Sequence, residues 1–192
     1  YYWLLSNATN TCSIFYPITY LYNKLYLRDV CYTYIYPNNI NSPILHRHII
    51  LSSPFFIKKL QITKHIYVDG TCIFPLEFKQ LIVILFYETN TEARYPSAYI
   101  LINSKYYQSY LIAFNAFKNI ISKFNSIKLN IESITVDFEE SLINSLSQIF
   151  NECYIIGCFY HYMGNIEKNA KRFGLYKKNQ KEVRKIIKRP KC

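Results

Sequence analysis

The chain has 192 residues, 51% of them hydrophobic and 18% charged, which is enough apolar material for one buried core and excludes a chain disordered by composition. Its net charge of +11 favours polyanionic partners, nucleic acid ahead of membrane. The six cysteines are scattered without a dense disulfide framework, and the 20 tyrosines share A/T-rich codons with the abundant Ile, Asn, Lys and Phe, so tyrosine content alone does not define a stacking surface.

Residues 1–23 carry no charge, but Asn7, Asn10 and Pro17 interrupt the apolar run, which falls short of a membrane-spanning helix. A start at Tyr1 and not at Met reads as a fragment. Residues 1–43 form a lead-in without clean periodicity, broken at Pro37-Asn38-Asn39 and Asn41-Ser42-Pro43. The core is expected over residues 44–176. From His65 the pattern sharpens. His65-Ile66-Tyr67-Val68-Asp69 reads as a short strand ended by Asp69-Gly70. Leu81–Tyr87 is a continuous apolar run, the mark of a strand covered on both faces. Ala98–Ile102 is a third strand candidate. Tyr107, Tyr110, Phe114, Phe117, Ile121 and Phe124 recur at helical spacing. Ser133–Val136 is a short strand closing on Asp137, followed by a helix with Leu142, Leu146 and Ile149 on one side. Tyr154–Gly157 is a last strand. A final helix displays Phe159, Tyr162, Ile166, Ala170 and Phe173 and stops at Gly174. Three consecutive strands suit an antiparallel meander, and strands alternating with helices imply parallel crossovers. The expectation is an α/β fold: a mixed five-stranded sheet flanked by helices.

Asp69 and Asp137 each end a β-branched run. If their strands are parallel neighbours, both carboxylates project from one edge of the sheet, where ligands gather in crossover folds. Two anions so close call for a cation between them, and Mg²⁺ or Mn²⁺ suits hard oxygen ligands with water and phosphate in the remaining positions. The competing reading at either position is a simple Asp turn after a strand.

An ordered set of segments resembles a known family. Tyr67-Val68-Asp69-Gly70-Thr71-Cys72 with Pro75 and Gln80-Leu81, then Pro96–Lys105, then Ile134-Thr135-Val136-Asp137-Phe138-Glu139, then Gly157-Cys158-Phe159-Tyr160-His161 look like the successive motifs of Mutator-like (MULE) transposases. The likeness runs from about His65 to Leu175. It implies an RNase H-like fold of the D-D-E superfamily, with Asp69 and Asp137 as the first two catalytic, metal-binding acids of a DNA transposase acting on transposon ends and target DNA. In that family the third acid, a glutamate, lies beyond the Cys-x-x-His motif after a helical insertion. The chain is therefore expected to stop before that insertion and the final helix. Glu167, the one acid on the helix after the last strand, stands where a simpler RNase H-like enzyme would place its third metal-binding acid, and its plainer reading is a solvated helix charge beside Lys168. Glu139 and Glu140 suit the N-terminal turn of their helix.

Cys158 and His161 form the Cys-x-x-His pair. The resemblance sets them beside the acids; packing on the first helical turn is the second reading. Zinc is not expected, since Cys153, Cys158 and His161 supply three ligands and no local fourth. Residues 177–192 are a basic tail, or the start of the insertion. Between Lys177 and Lys191 eight basic residues face one acid, a net of +7. Lys178, Lys181, Arg184, Lys185, Lys188 and Arg189 are candidate DNA contacts, a nuclear-localisation stretch, or a solvated helix face. The implied partner is DNA, with a second copy of the chain as a further candidate and no membrane; the implied location is nuclear. The alternative is a decayed or domesticated remnant that binds nucleic acid without chemistry.

Overall fold

The structure is a computed structural model and describes residues 26–34, 44–71, 78–124, 129–175 and 182. Seven strands and four helices follow in the order β1 (Tyr26–Tyr34), β2 (Ile44–Ser52), α1 (Pro54–Ile62), β3 (His65–Thr71), β4 (Gln80–Glu88), β5 (Ala93–Ile102), α2 (Tyr107–Phe124), β6 (Ser133–Val136), α3 (Glu140–Ile149), β7 (Tyr154–Gly157) and α4 (Phe159–Arg172). All strands join one sheet of order β1-β2-β5-β4-β3-β6-β7. The five expected strands are there as β3 to β7, forming an RNase H-like α/β core. The sheet is larger than expected, because β2 pairs antiparallel with β5 and β1 with β2. β1 thus carries part of the 1–43 lead-in into the sheet.

The meander β3-β4-β5 is antiparallel, and β3, β6 and β7 run parallel. β3 does not stop at Asp69-Gly70. It continues to Thr71 because β4 still offers ladder partners, pairing Asp69 with Val83, Gly70 with Ile82 and Thr71 with Leu81. Asp69 is therefore a strand residue and not a turn former. β5 likewise begins earlier than expected, at Ala93. Pro96 is accommodated there at an irregularity: the register slips between Ile84 and Leu85, and Ser97 Oγ donates to the Ile84 carbonyl at 2.9 Å. The β2 pairing ends at Ala98, so the missing N–H of Pro96 costs that ladder nothing.

One face of the sheet is densely covered. Ile66 and Val68, Ile82, Ile84 and Phe86, Ile100 and Ile102, and Ile134 and Val136 alternate toward it. They pack with Ile57 and Leu60 of α1, Tyr110, Phe114 and Phe117 of α2, and Leu142 and Leu146 of α3 in one buried cluster. Each such side chain contributes roughly 1.5–3 kcal/mol on burial. α1 starts cleanly because Pro54 opens its first turn and Ser53 Oγ accepts from the Phe56 N–H at 3.2 Å.

The opposite face carries His65, Tyr67, Asp69, Leu85, Thr135 and Ile156, none of them buried. α4 contributes only Ala170 to the buried residues. The apolar stripe expected on that helix exists, but Phe159, Tyr162 and Phe173 are exposed, so among the described residues it covers no core. Its stop signal holds: Gly174 has φ 71°, and its N–H reaches the Lys171 carbonyl at 3.1 Å. Among the described residues no helix is long and apolar enough to cross a membrane.

Candidate active site

Parallel pairing brings the two aspartates together. Val68 is in register with Val136 across β3 and β6, so the next residue on each strand, Asp69 and Asp137, leaves the sheet at the same level. Since Val68 and Val136 are buried under the helices, alternation directs both aspartates to the opposite face.

His161 joins them. The Cys158 N–H extends the ladder to the Val136 carbonyl at 2.8 Å, and α4 begins at once, its Tyr162 N–H bonding the Cys158 carbonyl at 3.0 Å. Gly157 permits this close departure. A Cβ there would lie 2.6 Å from Cζ of Phe138, whose ring rests against the end of β7. One turn into α4, the His161 ring returns over the strand ends. Its Nε2 is 3.6 Å from Asp69 Oδ1, and its Nδ1 is 3.6 Å from Asp137 Oδ1. The two carboxylates therefore flank a single imidazole. Asp69 is the more open of the two, its side chain 54% exposed against 31% for Asp137. Asp137 Oδ1 also accepts from the Phe138 N–H at 2.6 Å. His161 Nδ1 is buried without a hydrogen-bond partner, an orphaned polar atom in the middle of the cluster.

Beneath the acids lies a buried polar network not anticipated from the sequence. The Tyr110 hydroxyl is within hydrogen-bond reach of both Gln80 Oε1 and Glu139 Oε1, and Gln80 Nε2 donates to Glu139 Oε2 at 3.4 Å. Lys105 Nζ stands 3.5 Å from the same carboxylate. Glu139 is the residue before α3, but its side chain does not cap that helix. It is drawn across to α2 and β4 instead. The Gln80 amide fills the space beside Gly70, where a Cβ would sit 2.0 Å from Nε2. Gly70, next to Asp69, is thus a packing glycine, and a glycine inside a strand was the available signal.

Cys158 lines the same groove as Asp69 and His161, whereas Glu167 and Cys153 are not brought to the pair. Glu167 is bound to Lys171 at 3.2 Å on α4. Six residues beyond His161, it lies roughly 240° around the helix and about 9 Å along it. Cys153 and Cys158 occupy opposite ends of β7, about 16 Å apart at strand rise, too far to share a zinc ion. The Cys153 thiol donates to the Ile131 carbonyl at 3.0 Å, and burial, then Glu152, push its pKa up. Lys178, Lys181, Arg184, Lys185, Lys188 and Arg189 lie outside the described residues.

Among the described residues, no three His, Cys, Asp or Glu side chains converge tightly enough to hold a metal ion by themselves. Two carboxylates at one rim still fit a hard divalent cation, because Mg²⁺ is commonly held by one or two carboxylates with water and substrate phosphate completing its shell. Asp69 and His161 open into a groove of about 620 Å³ whose walls include Tyr67, Arg94, Phe159 and Tyr160.

No curated protein and no solved structure matches the chain significantly. A family model does: that of the MULE transposase domain, over residues 66–165, a span from β3 into α4 that takes in Asp69, Asp137 and His161. With more than half of its length so matched, the chain belongs to the MULE transposase domain family.

Proposed function

We propose that the chain is the catalytic core of a DNA transposase, using Asp69 and Asp137 for metal-dependent strand cleavage and transfer. The observation that carries this reading is the convergence of both carboxylates on one imidazole, at the carboxyl end of two parallel strands. Structural aspartates have no need of that arrangement, since neither forms a turn and like charges at one rim repel. Asp69 and Asp137 supply the hard oxygens for Mg²⁺ or Mn²⁺. When bound, such an ion activates an attacking oxygen and stabilises the departing one in phosphoryl transfer. His161 offers a ring nitrogen to a phosphate oxygen lying against the acids. The charge of +11 favours the DNA backbone as partner. Work on chromosomal DNA would make the protein nuclear.

The test is a nicking assay with the full chain, transposon-end and supercoiled plasmid DNA, and Mg²⁺ or Mn²⁺. Asp69→Asn and Asp137→Asn should each abolish nicking and leave DNA affinity intact. Either variant cutting as well as wild type would falsify the assignment. Tight DNA binding by the wild type with no cutting under any metal would favour a non-catalytic binding module, a reading supported by the lack of a third converging acid among the described residues.

A further inference from the structure

The groove beside the acids has a second set of groups that metal chemistry does not use. On its floor the Arg94 guanidinium lies over the Tyr67 ring, 4.3 Å from the centroid. The Tyr67 ring is braced from the side by His65, edge-on at 4.6 Å. His65 is in turn held between the Ser133 and Thr135 hydroxyls, the latter at 3.0 Å. Among the described residues no carboxylate pairs with Arg94, so a fixed, exposed cation faces the groove. The first turn of α4 adds Phe159 and Tyr160 to the lining of the same groove, the latter 81% exposed.

Exposed aromatics are common in this chain, and position separates these from the rest. Tyr154 is 79% exposed as well, but it stands at the other end of β7, away from the acids. Phe159 and Tyr160 share one groove with Asp69, His161 and Arg94. A cation for a phosphate and open ring faces for a base are the two elements of single-strand recognition. Bases in duplex DNA are already stacked and have no free face to offer. The volume of about 620 Å³ lies in the range of small-ligand pockets, about 300–1,000 Å³, which suits one or two nucleotides and not a double helix.

We propose that this groove holds an unpaired nucleotide of the DNA strand next to the acid pair, with Arg94 on its backbone phosphate and Tyr160 stacked on its base. The proposal rests on the transposase reading and deepens it: the strand would be unpaired where the acids meet it. Tyr67 and His65 act as positioning residues that keep Arg94 in place.

The experiment measures anisotropy of labelled oligo-dT and of a blunt duplex, with the full chain in Ca²⁺ across a salt series. Tyr160→Ala should weaken oligo-dT binding about 5- to 100-fold, as for a lost base–aromatic stack. Arg94→Ala should weaken it too and make the slope of log K against log salt shallower by about 0.7, one single-strand phosphate contact. Tyr154→Ala, at an equally exposed tyrosine away from the groove, should bind as wild type does. Both target side chains are exposed, so neither substitution removes core packing. The inference is overturned, with the transposase reading intact, if wild type binds DNA and both groove variants match it, or if the losses fall equally on the duplex. If wild type binds neither DNA at any salt, the transposase reading fails and the groove with it.

Discussion

Gly70→Ala isolates the packing beneath the acid pair. Gly70 does not occupy the left-handed region of backbone space, so alanine meets no strain in φ. The effect is steric: the new methyl would sit 2.0 Å from Gln80 Nε2 and 2.9 Å from its Cδ. Gln80 cannot swing aside freely, being 1% exposed and held at its carbonyl by Tyr110 and at its amide by Glu139. Either the strand shifts, an overpacking cost of about 1–3 kcal/mol, or Gln80 breaks its bonds, leaving buried polar groups unpaired at about 1–3 kcal/mol. We expect a loss of about 2–4 kcal/mol, a fall in Tm of roughly 5–15 °C for a domain of this size. Urea denaturation of the double-mutant cycle with Gln80→Ala supplies the decisive comparison. With the amide removed, Gly70→Ala should cost almost nothing, giving a coupling close to the full loss of about 2–4 kcal/mol. If the methyl costs the same in both backgrounds, Gln80 is not what Gly70 accommodates, and the account of the network is wrong.

Acidification should report on His65. Burial, then Arg94, lower its pKa in the folded chain, so the unfolded chain takes up the proton first. Stability from this residue is complete above about pH 6.5 and is lost as pH falls through the folded value. Urea midpoints of wild type and His65→Gln, taken from about pH 7.5 down to 5.5, should diverge least at the acid end; parallel curves would refute the assignment. In the core, Phe114→Ala should cost about 3–5 kcal/mol, since the ring is fully buried between α2 and the sheet. Its urea midpoint should fall with little change in m, and a loss below about 1 kcal/mol would show that α2 does not seal that face.

Periodicity and turn chemistry made most of the core legible in the sequence. The three- and four-residue spacing of Tyr110, Phe114 and Phe117 could only be a helix facing a core, and β-branched runs ending at Asp69 and Asp137 marked two strands with acids at their carboxyl ends. Gly174 announced the end of α4 because only a residue at ease with positive φ closes a helix that way. What those patterns lack is partnership. Pairing to β4 is a long-range fact, so Asp69-Gly70 read locally as a stop although β3 runs on to Thr71. β1 and β2 were hidden for the same reason, since a strand at the margin of a sheet is defined by the neighbour it bonds. The site followed the same division. Residue type and strand position marked the two acids as metal-ligand candidates from the sequence, because carboxylates at parallel strand ends are chemically expensive without a cation. The resemblance had set His161 beside the acids, but only the three-dimensional fold decided that its ring stands between the two and that Gln80, Tyr110 and Arg94 gather nearby, because those contacts cross from 10 to 92 residues of chain and depend on the sheet closing first.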